Sequence, residues 1–206
     1  MATYRQGDRL EALERILSHL PSDEATRATA LSRRWRRVCD GVPVVDLVDR
    51  KTDRRGRGIN LPVCFGSKVT GAIFSKGPTT PIHVLQLHAR HPPDDLLDQW
   101  IVTAVYSGVE EIDVKLRYSH LSRRRLCPYG SSERASADFE KYERNGYTKT
   151  QNHLFRCRTL RRLRLTNWRL DLHGTVSMAS LETLCLARIM DPKGLLQHLL
   201  SNCPRL

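Results

Sequence analysis

Residues 160–165 read LRRLRL, and residues 181–186 read LETLCL. The same pattern, in which apolar residues follow one another after three and then two positions, occurs earlier as IHVLQL at 82–87 and as VEEIDVKL at 109–116. Within each segment apolar and polar residues alternate, as expected of a short strand that buries one face. The sequence therefore predicts four short strands that stack over one apolar core.

These four segments resemble the L-x-x-L-x-L core of a leucine-rich repeat, whose units stack into a solenoid. Their starting residues are 27, 51 and 21 positions apart. The long middle interval is either two repeats or one repeat with an insertion, and we favour an insertion at about 117–152, where core-forming residues are few. Another repeat would open at Leu206, so the chain is expected to end in mid-repeat. Returning helices are predicted at 94–106 and at 192–200.

The leucines of such a repeat build the core, and any function belongs to the residues between them. The core is predicted to contain Leu160, Leu163, Leu165, Leu181, Leu184 and Leu186. Six residues are predicted to lie on or near the concave face and to bind a target protein: Arg161, Arg162, Arg164, Glu182, Thr183 and Cys185.

The N-terminal stretch ERILSHLPSDEATRATALSRRWRRVCDGVPVVDL, residues 14–47, has the pattern of short helices followed by a strand. Apolar residues between Leu10 and Leu20 recur at three- and four-residue steps, and Pro21 must end the helix that they form. Ser22 and Ser32 are suited to cap two further helices, and residues 44–47 predict a short strand. Three helices in about 40 residues bury too little apolar surface to be stable alone, so a leftover apolar face needs a partner.

The same stretch resembles the plant F-box almost position for position, most diagnostically in ILSHLP, EATRATALSRRWR and VPVVDL. The resemblance implies that the F-box binds the Skp-type adaptor of a cullin-RING ubiquitin ligase while the repeats choose a target protein. The first helix departs from the family pattern: either Asp8 and Arg9 replace the usual Leu-Pro, or a short segment is missing. Both alternatives remove part of the adaptor contact. The residues that the resemblance assigns to the apolar core and adaptor surface are Leu13, Ile16, Leu17, Leu20, Pro21, Leu31, Trp35 and Val38.

The expected fold is α/β: an N-terminal three-helix F-box followed by an irregular leucine-rich-repeat solenoid of short parallel strands and helices. The F-box is predicted at 8–48 and the repeat region at 81–206. Between them, residues 49–80 are predicted to be a basic linker and irregular segment, because DRKTDRRGRGIN at 49–60 is rich in charge and glycine.

The net charge of +12 suggests a competing function, because 34 basic residues stand against 22 acidic ones. Arginines flank Trp35 on both sides, and further basic clusters lie at 50–57 and 123–125. These clusters are scattered over a helix, a linker and an insertion, with no recognition motif beside them. Nucleic acid is therefore not the expected partner, but a basic nucleic-acid-binding protein, or a non-ligase scaffold with a degenerate F-box, is the alternative hypothesis.

No pattern in the sequence predicts an enzyme, a metal site or a cofactor. HExxH, GxxxxGK[ST] and G-x-S-x-G are absent, and His83, His88 and His91 are expected to be surface residues. The six cysteines form no CxxC pair and are expected to be reduced, which fits an intracellular protein of the nucleus or cytoplasm. No apolar run is long enough to predict a membrane span.

Overall fold

A computed structural model of the chain describes residues 13, 15–17, 41–49, 65–76, 80–90, 92–118, 147–191 and 193–206. Residues 13 and 15–17 are helical. The elements with described bounds are, in chain order, strand β1 (Val44–Val48), helix α1 (Phe65–Phe74), strand β2 (Val84–Arg90), helix α2 (Asp94–Tyr106), strand β3 (Glu111–Arg117), a 3-10 helix (Leu154–Arg156), strand β4 (Arg162–Thr166), strand β5 (Thr183–Ala187) and helix α3 (Leu196–Ser201).

The five strands form one parallel sheet in the order β1-β2-β3-β4-β5, which is also their order along the chain. Each pair of neighbours is parallel and in register, with Leu85 beside Ile112 and Ile112 beside Leu163. A sheet that grows one strand at a time in chain order is what stacked repeats produce. The predicted fold class of helices and short parallel strands is confirmed, and all four repeat motifs form strands.

One face of the sheet is apolar and lines the core. Its residues occupy alternate strand positions, as the period of two requires. The central ones, such as Leu87, Val114 and Leu165, are fully buried. Leu160, Leu163, Leu165 and Leu181 are buried as predicted, whereas Leu184 and Leu186 are only partly buried against the core. The difference arises because β5 is the last strand of the sheet, and none of the described residues forms a strand beyond it.

Helix α2 spans the residues predicted for it. Asp94 and Asp95 lie in its first turn, where their negative charge is favourable, and Gly108 follows its C-terminus with a φ of 81°. Its inward side includes Trp100, which is fully buried and donates its indole N–H to the hydroxyl of Thr70 at 3.0 Å. The helix thus packs on the apolar face of the sheet through one large side chain whose polar atom is satisfied.

Helix α1 lies inside the segment expected to be a linker, and Phe65–Phe74 are therefore not irregular. Val69 and Ile73 are buried one helical turn apart, and the ring of Phe65 meets that of Trp100 edge to face at a centroid distance of 6.4 Å. The helix was not predicted because the charged residues at 49–60 led us to interpret the whole segment at 49–80 as a linker. The four-residue spacing of Val69 and Ile73 was the available signal.

Strand β1 joins the sheet of the repeats. Val44 is in register with Val84, and the backbone N–H groups of His83 and Val84 both donate to the carbonyl of Pro43, at 2.8 and 3.2 Å. The strand that was predicted as the end of the first domain, at 8–48, is thus the first strand of the solenoid sheet.

The predicted insertion at 117–152 is partly described. Residues 119–146 lie outside the described part, while Tyr147 to Thr150 return to the body of the protein. The hydroxyl of Tyr118 accepts the backbone N–H of Thr148 at 2.8 Å, and Lys149 forms an isolated parallel bridge with Arg169. The end of the predicted insertion therefore already belongs to the packed structure.

Candidate protein-interaction surfaces

The face of the sheet opposite the core carries the polar residues of the strands, and we call it the outer face. Its positions form rows across the strands because neighbouring strands are in register. The first row runs Val44, Val84, Glu111, Arg162 and Thr183. The second row runs Asp46, Gln86, Asp113, Arg164 and Cys185. These rows make the outer face a candidate surface for binding another protein.

Opposite charges meet where β3 and β4 run side by side. Arg162 Nη1 donates to Glu111 Oε2 at 3.2 Å, and Arg164 Nη1 donates to Asp113 Oδ2 at 3.4 Å. The arginine side chains remain 66% and 60% exposed, while the carboxylates are much less so. Exposed pairs of this kind stabilise a sheet only slightly, but they fix the orientation of the side chains and neutralise their charge locally.

A third pair lies where the chain enters β4 and β5. The guanidinium of Arg161 donates twice to Glu182 Oε1, from Nη2 at 2.8 Å and from Nε at 3.1 Å. This hydrogen-bonded contact raises the pKa of Arg161 and lowers the pKa of Glu182. Arg161 is therefore held in place by an acid of the next repeat.

The structure brings the six predicted target-binding residues together, four of them on β4 and β5 and two, Arg161 and Glu182, directly before these strands. Thr183 is exposed beside Arg162, and Cys185 is half-buried beside Arg164. Their use as a target-binding surface stays a prediction. The three arginines are engaged with carboxylates, which leaves them less positive charge to offer a polyanion than the sequence suggested.

Sequence reasoning missed the acids of β3 that take up this charge. Glu111 and Asp113 lie in a different motif, 51 residues before their partners. The signal was present, since aligning VEEIDVKL with LRRLRL by their apolar residues places each acid beside its arginine. These contacts form only when the repeats stack, so the sequence of a single motif does not reveal them.

Asp171 is the centre of a second charged cluster, beyond the end of β4. Its side chain is 11% exposed and lies 3.2 Å from Lys193 Nζ, 3.5 Å from His173 Nε2 and 3.8 Å from Lys149 Nζ. Burial alone would raise the pKa of Asp171, but the hydrogen bond from Lys193 and the neighbouring positive charges outweigh it and lower the pKa. The cluster ties the segment at 147–150 to the last two repeats.

Three of the eight residues assigned to the N-terminal core and adaptor surface are described. Leu17 is buried at 1% exposure, Leu13 is half-buried and Ile16 is 57% exposed. Leu20, Pro21, Leu31, Trp35 and Val38 lie outside the described residues. Of the three, Ile16 therefore has apolar surface free for a partner, whereas Leu17 belongs to the interior.

Among the described residues, no helix combines the length and apolar character that a membrane crossing needs. Cys157, Cys185 and Cys203 are free thiols, and burial raises the pKa of Cys203.

Comparison with known protein families adds to this geometry. Residues 10–46 match the F-box domain, and residues 138–206 match the repeat family described as "FBD-associated F-box protein At5g56370, LRR repeats". The chain thus combines a match to the F-box with a match to the leucine-rich repeats of plant F-box proteins. The F-box match ends inside β1, so in this chain the F-box match runs directly into the first strand of the sheet.

The relatives of this chain include several proteins of Arabidopsis thaliana. It is 30% identical over 201 residues to the putative F-box/FBD/LRR-repeat protein At5g22670, an alignment covering 94% of this chain and 37% of the relative. It is 28% identical over 204 residues to the putative F-box/FBD/LRR-repeat protein At4g00315, covering 94% and 39% respectively. The chain thus spans well under half the length of these relatives. No solved structure matches it.

Proposed function

We propose that this chain is a substrate-recognition adaptor of a Skp-cullin-F-box ubiquitin ligase. Its F-box would bind the Skp-type adaptor, and its repeats would bind a target protein that has yet to be identified. The observation that carries the proposal is the F-box match at 10–46, continued without a linker into the sheet at Val44–Val48.

Direct continuity between the two parts suits such a role. The carbonyl of Pro43 accepts hydrogen bonds from the backbone N–H groups of His83 and Val84 at the start of β2, so the end of the F-box match is fixed to the sheet by backbone contacts. A target held on the sheet would then stay close to the ligase, which raises the local concentration of its acceptor lysines. The chain contributes proximity, and the transfer chemistry belongs to the conjugating enzyme. We therefore propose a non-catalytic protein that acts within the nucleus or cytoplasm and needs no cofactor.

Ile16 supports the adaptor contact. A large apolar side chain that is 57% exposed on a helix of a predicted docking domain offers the surface that a partner helix would cover. Leu17 is a poorer probe, because an aspartate there would place a charge in the interior and unfold the domain. We therefore use Ile16 to test the contact and reserve Leu17 for the core.

The test is a pull-down of the full chain with a Skp-type adaptor, comparing wild type with Ile16→Asp. Tyr106→Asp is the matched control, because Tyr106 is also an exposed apolar residue, at 78%, but lies at the end of α2. We expect Ile16→Asp to reduce capture at least about tenfold, as loss of a buried anchor does. The control should bind as wild type does. Absence of capture by the wild type would contradict the proposal, and equal capture by both variants would move the contact away from Ile16.

A further inference from the structure

Four basic residues form a block at the far end of the outer face, where β2 and β3 end. His88 on β2 is in register with Lys115 on β3, and Arg90 is in register with Arg117. All four occupy outward positions, and none is buried. Neighbouring strands are about 4.8 Å apart, and alternate residues along a strand about 6.6 Å, so the block is a rectangle about as long as one dipeptide. It carries the three positive charges of Arg90, Lys115 and Arg117 beside the imidazole of His88.

This block differs from the rest of the outer face. In the two preceding rows, β3 presents Glu111 and Asp113 to arginines of β4, so that opposite charges meet. In the block, Arg90 stands opposite Arg117 and forms a like-charged pair, while Lys115 stands opposite the imidazole of His88. Like charges directly opposite one another destabilise a sheet, whereas opposite charges stabilise it. This arrangement lowers the stability of the folded protein, and an anion bound to the block would offset the loss.

Of the acids near the block, Asp113 is bound to Arg164. Asp49 lies at the edge of the block, where its Oδ2 accepts the backbone N–H of Arg90 at 3.3 Å without pairing with the guanidinium. Asp46 also has an interaction of its own. Within the described parts of the chain, the side chains of His88, Arg90, Lys115 and Arg117 make no ion pair. Their donors are thus available to a ligand.

We infer that the basic block is the part of the outer face that recognises the target, and that it binds a carboxylate-rich segment of that protein. The inference rests on the proposed function, which it makes more specific. It also shifts the recognition site from the arginines of β4, whose charge is neutralised, to the basic residues of β2 and β3.

The surroundings favour a protein segment over a nucleic acid. The row through His88 and Lys115 continues with Val48 on one side and with Thr166 and Ala187 on the other. These side chains are small or apolar, so His88 is the one ring in this row, and the row offers no series of aromatic side chains on which successive bases could stack. An extended acidic peptide instead places alternate carboxylates about 6.6 Å apart, the spacing between His88 and Arg90 along β2.

The experiment measures binding of a fluorescein-labelled glutamate-rich peptide to the full chain by fluorescence anisotropy. Lys115→Gln/Arg117→Gln removes two charges from the block. Lys68→Gln/Arg158→Gln is the charge-matched control, because both residues are exposed and neither lies on a strand. A glutamine-rich peptide of equal length and a single-stranded oligonucleotide are measured in parallel.

We expect the block variant to lose at least about tenfold in affinity for the acidic peptide, and the control to lose less than about threefold. Wild type should bind the acidic peptide in preference to the glutamine peptide and the oligonucleotide. Equal losses of affinity in both variants would show that only the net charge matters and would overturn the inference. Preference for the oligonucleotide, or no binding of the acidic peptide, would also overturn it. Capture of the Skp-type adaptor is followed in the same preparations. A chain that captures the adaptor but ignores the acidic peptide contradicts only this inference, whereas failure of adaptor capture contradicts the proposed function.

Discussion

Asn167 offers a sharp test of how the repeats are held together. It follows β4 directly, has a φ of 64° and is 5% exposed. Its backbone N–H donates to the carbonyl of Ala187 at 3.0 Å, and its side-chain Nδ2 donates to the carbonyl of Leu116. One residue thus links three consecutive strand ends while its own backbone is in the left-handed region.

Two substitutions separate the side chain from the backbone. Asn167→Gly removes the bond to Leu116, which costs about 1–3 kcal/mol for a buried group. Part of this free-energy cost is offset, because the substitution also removes Asn167 Oδ1, which is buried without a hydrogen-bond partner among the described residues. Adding about 0.5–1 kcal/mol for the flexibility of glycine in the unfolded chain gives a destabilisation of about 1.5 kcal/mol. Asn167→Ala lacks the same bond and adds about 1–2 kcal/mol for a left-handed alanine, which gives about 2.5 kcal/mol.

The assay is urea unfolding of the full chain followed by circular dichroism. Arg188→Gly is the control, because Arg188 has a φ of 51° but is exposed, so its replacement should change stability by less than about 0.5 kcal/mol. The expected order of stability is wild type, then Asn167→Gly, then Asn167→Ala. Wild-type stability in Asn167→Ala, or a glycine variant less stable than the alanine variant, would show that Asn167 does not hold the strand ends together in this way.

Three further predictions concern stability. Asp171→Asn should destabilise the chain by about 1 kcal/mol at pH 7. Because the pKa of Asp171 is lowered in the folded state, this difference should shrink as the pH falls below about 4. A difference in urea unfolding that stays constant across that range would contradict the assignment. Arg164→Glu and Asp113→Arg should each destabilise by up to about 1 kcal/mol, while the double variant recovers most of the loss; additive losses in the thermodynamic cycle would show that the pair does not interact. Trp100→Phe should cost about 1–2 kcal/mol, because it removes the indole donor to Thr70 and leaves a void, and an unchanged midpoint in thermal unfolding would show that neither contact matters.

Spacing of apolar residues was enough to predict most of the sheet. The three-then-two pattern located β2 to β5, and the helical spacing around Trp100 gave the bounds of α2, because both periods follow directly from backbone geometry. Helix α3 begins at Leu196, later than the predicted start at 192. Helix α1 was not predicted, because its two buried residues, Val69 and Ile73, follow soon after the charged run at 49–60.

Contacts between repeats were harder to foresee. The pair of Asp113 with Arg164 depends on the register of two strands that are far apart in the sequence, and the surroundings of Asp171 depend on three separate loops. Sequence inspection selected Arg164 as a target-binding residue from its position alone. It could not tell that the side chain already had a partner, and so could not distinguish the neutralised rows from the basic block.

Sedimentation velocity of the purified full chain, with and without an equimolar Skp-type adaptor, shows whether the two proteins associate. We expect a stable one-to-one complex that sediments faster than either protein alone, because binding would cover the exposed apolar side chain of Ile16. Two separate boundaries, with the chain sedimenting as a well-behaved monomer indifferent to the adaptor, would contradict the proposed function.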